Sequence, residues 1–209
     1  MRQRVVIDII RMESEVMNMV SLYDLFMRPL EQRGIRKARR ELIKKACGKV
    51  LEIGAGTGAN VAHYDADCVT DVTVTDKVVN KHLANKHAQL ITVLEADAID
   101  LPFEDDSFDT VVHTLVFCSI PDVDKGLQEI KRVLKPGGKL VFIEHVLPQK
   151  QGWRRLFKGI NPVWRLFSHG CSLTKDFHKS LLDNGFDLEE NGRFMNTVFF
   201  YGVASVTPI

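Results

Sequence analysis

The spacing of apolar residues changes along this chain, and the change divides it into predicted helices and strands. In residues 12–30 the apolar side chains recur every three or four positions, which predicts an amphipathic helix. A second helix, rich in Arg and Lys, is predicted over residues 35–46. After it come five short apolar or β-branched runs that predict strands: residues 50–53, 71–75, 90–94, 110–113 and 139–143.

The segments between and after these strands predict how the sheet is built. Residues 123–134 place their apolar side chains on one face, as expected of a helix that crosses between parallel strands. Residues 174–184 predict a helix whose first residue, Thr174, is its N-cap. Residues 186–190 and 197–203 follow with a connection too short for a crossover helix, so they should pair antiparallel. The pattern therefore predicts an α/β fold with a mostly parallel sheet, helices on both faces and an antiparallel C-terminal hairpin.

The composition is that of an ordinary globular domain. Of 209 residues, 45% are hydrophobic and 26% are charged, and the net charge is +1. This balance argues against disorder, and it gives no reason to expect a nucleic-acid partner, which usually requires a distinctly basic surface. No apolar run approaches the roughly 18 residues that a membrane-spanning helix needs. We therefore expect a single domain in the cytoplasm.

The cysteines and histidines give no sign of a metal site. Cys47, Cys68, Cys118 and Cys171 are widely spaced and contain no C-x-x-C pair, which suggests neither a zinc site nor a disulfide framework. The histidines likewise lack the spacing of metal ligands. We therefore expect reduced cysteines, no metal, and a site-lining or core position for Cys118 and Cys171.

A glycine-rich segment follows the first predicted strand. Gly54, Gly56 and Gly58 stand where a strand must turn sharply into a helix, and glycine lets the backbone approach a ligand there. Asp76 lies about 20 positions further on, at the end of the second strand, where a carboxylate can accept from two ribose hydroxyls. These features alone fit two cofactors equally well, a nicotinamide dinucleotide and S-adenosylmethionine (SAM).

Glu52 distinguishes between these two cofactors. It lies inside the first strand, two residues before the first glycine, where a carboxylate has little use beside a pyrophosphate. It would attract a ligand that carries a sulfonium and an ammonium group, because opposite charges attract strongly in a partly dry cleft. The alternative for Glu52 is an ion pair with a basic residue of the N-terminal helices.

Taken in order, the motifs resemble those of class I SAM-dependent methyltransferases. Five segments carry the resemblance. They are residues 51–58 (the first motif), 74–76 (the acid that ends the second strand), 95–98 (the adenine-side motif), 101–109 (the approach to strand four) and 134–138 (the turn before strand five). A narrower likeness lies in Glu144-His145-Val146, a Trp-rich insert and residues 170–174. These are similar to thiol and small-molecule methyltransferases of the methyltransferase-like 7 type and to quinone-methylating enzymes.

The resemblance implies a fold, a division of the chain and a cofactor. The fold is a Rossmann-like, doubly wound, seven-stranded sheet in three αβα layers. Residues 1–47 would form a helical cap, 48–147 the cofactor-binding core, 148–173 a substrate-lid insert, and 174–209 the last helix and the hairpin. The cofactor would be SAM, with S-adenosylhomocysteine as product.

The resemblance also implies a set of cofactor-binding residues. Asp97 would accept from the adenine amino group while the N–H of Ala98 meets a ring nitrogen, although Asp97 can equally be a turn or capping carboxylate. Asn60 would reach the methionine carboxylate, although it can equally be a surface residue. The whole set comprises Glu52, Gly54, Ala55, Gly56, Gly58, Asn60, Asp76, Lys77, Asp97, Ala98, Thr114 and Leu115.

Methyl transfer requires few catalytic groups from the protein. The reaction is an in-line displacement, so the protein supplies alignment, exclusion of water and, for a protonated acceptor, a base. His145, at the end of the fifth strand, is the best candidate for that base, and a structural histidine is the alternative. His113 is a weaker candidate with the same alternative.

The acceptor side is predicted from aromatic residues. The insert interleaves aromatic and basic side chains, which fits a lid over an apolar acceptor, ordinary packing, or a peripheral contact with a membrane surface. The residues expected to line the acceptor are Tyr23, Phe26, Cys118, Trp153 and Trp164. The predicted function is methyl transfer from SAM to a small, apolar acceptor through O, S, N or C. An NAD(P)-dependent oxidoreductase and a non-catalytic SAM-binding protein are the alternatives, and the oligomeric state stays open.

Overall fold

The computed structural model describes residues 29–30, 34–78, 83, 91–168 and 170–206. The chain divides into two compact units, residues 1–36 and 37–209. Most of the first unit lies outside the described residues, including the predicted helix 12–30 and the predicted acceptor residues Tyr23 and Phe26. The second unit contains the sheet.

The described part of the chain folds into helices and strands that alternate as the hydrophobic pattern predicts. In chain order they are α1 (Arg36–Ile43), β1 (Gly48–Ile53), β2 (Val69–Asp76), β3 (Thr92–Glu95), β4 (Phe108–Thr114), α2 (Val123–Val133), β5 (Leu134–His145), α3 (Gln151–Phe167), α4 (Phe177–Asp183), β6 (Phe186–Phe194) and β7 (Phe199–Val206). A short 3₁₀ turn, Val61–His63, follows the glycine loop.

The seven strands form one sheet in the order β3-β2-β1-β4-β5-β7-β6. The first five strands pair in parallel, whereas β7 runs antiparallel to both β5 and β6. This confirms the predicted Rossmann-like sheet with its antiparallel finish. Because β1 has β2 on one side and β4 on the other, the strand order reverses there, and such a reversal opens a crevice at the carboxyl ends of the strands.

Both faces of the sheet are buried, because successive side chains of a strand point to opposite faces. On one face, Leu51 and Val111 pack in a cluster with Leu127 of α2 and Phe177 of α4. On the other face, Val50 and its neighbours form a second cluster with Leu42 and Ile43 of α1. The sheet is therefore the middle layer of three. Within the described residues, no helix combines the length and the apolar character required to cross a bilayer.

The start of α4 differs from the sequence prediction. The helix begins at Phe177, and its N-cap is Asp176, whose side chain accepts the N–H of Lys179 at 3.2 Å. The prediction of Thr174 as N-cap is therefore wrong. The hydroxyl of Thr174 lies instead 3.1 Å from that of Ser172. Both Thr and Asp are good N-caps, so the sequence did not distinguish them.

Cys47 and Cys68 form a disulfide, which corrects the expectation of unpaired cysteines. Cys47 immediately precedes β1 and Cys68 immediately precedes β2, and Gly48 is the register partner of Val69. The parallel pairing thus brings together two residues that are 21 positions apart, with Cα atoms 4.9 Å from each other. Because the cytoplasmic expectation assumed reduced cysteines, the disulfide removes one of its grounds.

Candidate functional site

The glycine loop connects β1 to the 3₁₀ turn in a backbone conformation that favours glycine. Gly54, Gly56 and Gly58 have φ values of +70°, +53° and +79°. A Cβ atom on Gly54 would collide with Val116, and one on Gly58 would collide with Leu83. A Cβ atom on Gly56 would meet nothing within 4 Å. The loop is therefore packed tightly at two glycines and faces open space at the third, where a ligand has room to approach.

Asp76 ends β2 directly beside this loop. Its Oδ2 accepts the N–H of Gly56 at 2.8 Å, while the N–H groups of Gly54 and Ala55 donate to the carbonyl of Thr75. The carboxylate is thus fixed to the loop through one oxygen, and its other oxygen can accept from the hydroxyls of a ribose. The glycine loop and Asp76 therefore have a geometry suitable for binding a ribose. The identity of the ligand stays a prediction.

Asp97 follows β3 and forms an ion pair with Lys77. Their Oδ2 and Nζ atoms are 2.9 Å apart, and Oδ1 accepts the N–H of Ile99 at 3.3 Å. Although partial burial acts to raise it, the pKa of the Asp97 carboxyl is held below its ordinary value by the hydrogen bond from Lys77. Ala98 beside it is buried. The hydrogen bond from the N–H of Ile99 fits the turn role that was the alternative for Asp97. The adenine-binding role of Asp97 stays a prediction.

A buried hydrogen-bond network lies beneath the glycine loop and contains both Glu52 and Asn60. Nδ2 of Asn60 donates to Oε1 of Glu52 at 2.9 Å, and the hydroxyl of Tyr64 donates to Oε2 at 2.6 Å. Nη1 of Arg39 donates to Oδ1 of Asn60 and to Oγ1 of Thr114, both at 2.6 Å. Asn60 is therefore a buried network residue, which excludes the surface position that was its alternative.

The network changes the interpretation of Glu52, which is only 1% exposed. Burial raises the pKa of its carboxyl, against the hydrogen bonds of Tyr64 and Asn60 and the charge of Arg39. The alternative for Glu52 was an ion pair with a basic residue of the N-terminal helices. Arg39 of α1 is such a residue, and it reaches Glu52 through hydrogen bonds to and from Asn60.

Sequence analysis missed Arg39 and Tyr64. Arg39 precedes the buried residues Leu42 and Ile43 by three and four positions, a spacing that places all three on one face of α1. That spacing was a usable signal for Arg39. The sequence contains no comparable signal for Tyr64.

Glu144 organises the turn that follows β4. Its Oε1 accepts the N–H groups of Val116 and Phe117, each at 2.9 Å, and its Oε2 accepts the N–H of Cys118 at 3.2 Å. Three consecutive N–H groups thus surround one carboxylate, as in the anion-binding nests of other proteins. The turn begins at Leu115, whose φ of +61° lies in the left-handed region. The side chain of Glu144 therefore shapes the backbone next to the predicted cofactor residues.

His113 is the fourth partner of that carboxylate. Its Nδ1 lies 2.8 Å from Oε1 of Glu144, and its ring packs among Phe117, Phe142 and Phe177. Its Nε2 is buried and has no hydrogen-bond partner within the described part of the chain. This enclosed position agrees with a structural histidine better than with a base that meets the acceptor.

A cavity of about 460 Å³ is bordered by the end of this turn, at Phe117 and Cys118. Its walls come from the end of β5 and the starts of α2 and α4, together with the turn itself. Cys118, His145 and Lys175 contribute to these walls. Nζ of Lys175 donates to the carbonyl of Phe117 at 3.0 Å and also to that of Ile120. A positively charged group therefore lies at the wall of a space large enough for a small molecule.

His145 lies at the carboxyl end of β5, as predicted, and lines this cavity. Its ring stacks on Phe157 of α3, with centroids 5.8 Å apart. Burial lowers the pKa of His145 to about 4, so the imidazole is neutral at neutral pH. Its Nδ1 is buried and lacks a hydrogen-bond partner among the described residues. His145 can therefore accept a proton, but only as a weak base.

The other predicted acceptor residues occupy different positions. Cys118 lines the cavity, and a hydrogen bond with Cys171, together with burial, raises the pKa of its thiol. The side chain of Trp164 lies near the thiol of Cys171 and acts to lower its pKa, and Trp153 is exposed on α3. Neither tryptophan belongs to the described wall of the cavity. In the part of the chain that the structure describes, no three His, Cys, Asp or Glu side chains are grouped closely enough to hold a metal ion.

Known proteins resemble this chain in sequence and in fold. Residues 51–142 match a family described as a methyltransferase domain. The chain is 38% identical over 170 residues to the thiol S-methyltransferase TMT1B of Homo sapiens, which covers 73% of this chain and 69% of that protein. It is 34% identical over 140 residues to the demethylmenaquinone methyltransferase of Paenarthrobacter aurescens (strain TC1), which covers 65% of this chain and 55% of that protein.

The fold is also found among solved structures. An S-adenosylmethionine-dependent methyltransferase from Mesorhizobium loti superposes with a TM-score of 0.61 at 20% identity, over 80% of this chain and 95% of that one. This likeness shows the fold alone. In sequence, the chain spans about seven tenths of the human relative and just over half of the bacterial one.

Proposed function

Because the chain belongs to the class I SAM-dependent methyltransferases, we propose that it transfers a methyl group from SAM to the sulfur of a small-molecule thiol. The family membership sets aside the alternative of an NAD(P)-dependent oxidoreductase. The residues that would bind SAM and the class of the acceptor belong to the proposal, and each rests on a separate observation.

The glycine loop and the two acids support SAM as the ligand of the carboxyl edge. Gly56 faces open space, and Asp76 is fixed beside it, where it would accept from the ribose hydroxyls. Asp97 and the N–H of Ala98 follow β3, where they would meet the adenine.

The buried network suits the charged methionine end of the cofactor. Arg39 provides a guanidinium, which binds carboxylates well. Glu52 provides negative charge for an ammonium and a sulfonium, and its own burial makes that attraction stronger than in water. SAM, when bound, supplies a methyl group already activated by the positive sulfur. The residues of this chain would orient it and exclude water.

The pKa of His145 is the observation that favours a thiol as acceptor. A base with a pKa of about 4 removes protons poorly from a hydroxyl. A thiol, whose ordinary pKa is about 8.5, supplies its own anion near neutral pH. Lys175 at the cavity wall would favour that anion, whereas the carboxylates of Asp122, Asp124 and Asp176, which also line the cavity, would oppose it. The name of the 38% identical human relative agrees with this choice.

The proposed step needs no additional reactant. A thiol in the cavity loses its proton to solvent, and its sulfur then bonds the methyl carbon as the carbon–sulfonium bond breaks. The products are a methyl thioether and S-adenosylhomocysteine. The turn from Leu115 to Cys118, held by Glu144, would line the site in which the two sulfur atoms face each other across the methyl carbon.

Calorimetric titration tests the cofactor. We expect the chain to bind both SAM and S-adenosylhomocysteine, and Asp76→Ala to weaken both at least about tenfold, because charge-assisted hydrogen bonds are lost. Asp71→Ala, an exposed acid at the other end of β2, is the matched control and should bind as the wild type does. Absence of binding at millimolar SAM would refute the proposal.

A transfer assay with labelled SAM tests the acceptor. We expect a small aliphatic thiol to be methylated, in preference to a phenol and a hydroquinone of similar size. The rate should rise with pH as the thiol ionises, and Lys175→Met should shift that rise to higher pH while Lys175→Arg restores it. Methylation of the phenol or the hydroquinone in place of the thiol would contradict the choice of sulfur.

A further inference from the structure

Helix α3 exposes a continuous apolar face. Five large apolar side chains recur at spacings of three or four along its length, which places them on one side of the helix. Their exposed fractions are far above those of core residues: Trp153 40%, Leu156 50%, Ile160 42%, Val163 59% and Leu166 82%. We call this set the α3 apolar face.

The glycines of α3 show that the space beside this face is open. At about 100° per residue, Gly152 and Gly159 fall within the arc that runs from Leu166 to Ile160. A Cβ atom on either glycine would meet nothing within 4 Å. The α3 apolar face is therefore not a buried surface of the described fold, unlike the side of the helix that contacts His145 through Phe157.

The remaining side of α3 is positively charged. Four basic residues occupy a separate arc of the helix: Arg154, Arg155, Lys158 and Arg165. The helix contains no acidic residue, and Lys150 stands directly before it. An apolar arc with a basic arc beside it, in a helix about 25 Å long, has the charge and shape of helices that lie in a membrane interface.

We propose that the α3 apolar face docks on the surface of an anionic lipid bilayer. A helix binds an anionic bilayer surface when it has an apolar stripe parallel to the membrane plane and cations at the level of the headgroups. Helix α3 has both. An acidic protein partner would need a groove shaped for five particular side chains, and nothing on α3 specifies such a groove. Because Phe157 links the same helix to His145, docking would bring the cavity close to the lipid.

Cosedimentation of the full chain with lipid vesicles tests the proposal. The probes are vesicles of phosphatidylcholine alone and vesicles containing about a third phosphatidylserine. We expect binding to the anionic vesicles, little binding to the neutral ones, and weaker binding as salt is added, because salt screens the cations. Absence of binding to anionic vesicles at low salt would overturn the proposal.

Two variants separate the apolar contribution from the electrostatic one. Leu156→Glu combined with Val163→Glu should weaken binding by about tenfold or more, because two apolar side chains can no longer be buried in lipid. The matched control is Leu182→Glu, an equally exposed leucine of α4. Lys158→Glu should weaken binding by about fivefold or more, and Lys44→Glu, an exposed lysine outside α3, is its control.

Each other result has a defined meaning. Circular dichroism checks that each variant folds. If the double variant does not fold, Lys158→Glu still tests the proposal. Wild-type binding by the folded double variant would show that lipid does not occupy the α3 apolar face. A wild-type dimer that the double variant dissociates would assign the face to a second copy of the chain. Either result would overturn the proposal.

Discussion

Nδ1 of His113 lies 2.8 Å from Oε1 of Glu144, and both side chains are completely buried. The same carboxylate accepts three consecutive N–H groups, those of Val116, Phe117 and Cys118. One acidic side chain therefore fixes both a histidine ring and a backbone turn. That turn connects Thr114, which belongs to the network around Glu52, to Phe117 and Cys118 at the cavity wall.

Replacing Glu144 should destabilise the protein strongly. Glu144→Ala leaves three N–H groups and the buried His113 without their acceptor, which should lower the free energy of unfolding by about 3 kcal/mol or more. Glu144→Gln keeps one acceptor oxygen and should lose less. Urea unfolding measures both, with Glu104→Ala as an exposed control. A loss from Glu144→Ala no larger than that of Glu104→Ala would contradict this role.

A methyl group on Gly56 should block the cofactor without unfolding the chain. Gly56→Ala places a Cβ atom in the open space above the loop, and its positive φ costs only about 1 kcal/mol. Gly137→Ala is the matched control, because Gly137 has a φ of +77° and equally open surroundings but lies near the amino end of β5. Calorimetry should show SAM affinity lost only in Gly56→Ala. Equal affinities in the two variants would place the ligand elsewhere.

His145 should make the stability of the protein depend on acidity. The ordinary pKa of 6.5 applies to the unfolded chain, and burial lowers the folded-state pKa to about 4. Because the unfolded chain alone takes up the proton between these values, the contribution is present above pH 6.5 and is lost as the pH falls towards 4. The complete loss is roughly 3 kcal/mol.

His145→Gln isolates this contribution from those of other titrating groups. The free energy of unfolding of the wild type should decrease more than that of the variant between about pH 7 and about pH 4.5. Urea unfolding at the two pH values measures the difference. Parallel decreases in the two proteins would show that the folded-state pKa of His145 is not lowered.

The disulfide should contribute to stability in a way that a reductant reveals. Cys47 and Cys68 close a loop across 21 positions, and a loop of that size constrains the unfolded chain by about 3 kcal/mol. Dithiothreitol should therefore lower the thermal midpoint of the wild type. The double variant Cys47→Ser and Cys68→Ser should have the lower midpoint already and should not respond. An unchanged wild-type midpoint would contradict the prediction.

The sequence predicted the sheet because its strands are short runs of apolar and β-branched residues. Such runs are typical of the strands of a mostly parallel sheet, because both faces of that sheet are buried. Turn residues mark where each strand ends. The glycine loop was predictable for a similar reason, since positive φ values and close packing at Gly54 and Gly58 restrict those positions to glycine.

Contacts between distant polar residues were not predictable. Glu144 binds a turn some 26 to 28 positions away, and the disulfide depends on the register of two parallel strands. No spacing rule along a single sequence contains that information. Arg39 is the intermediate case, because its position on the apolar side of α1 is visible but its partners Asn60 and Thr114 are not.

The position of the disulfide also has a mechanical consequence. The bond joins β1 and β2 at their amino ends, whereas the glycine loop and Asp76 lie at the carboxyl ends of the same strands. Between these two ends the strands are hydrogen-bonded along their length, from Gly48 and Val69 to Ile53 and Thr75. The covalent bond is therefore the fixed reference of a continuous ladder, and that ladder sets the spacing between the glycine loop and Asp76.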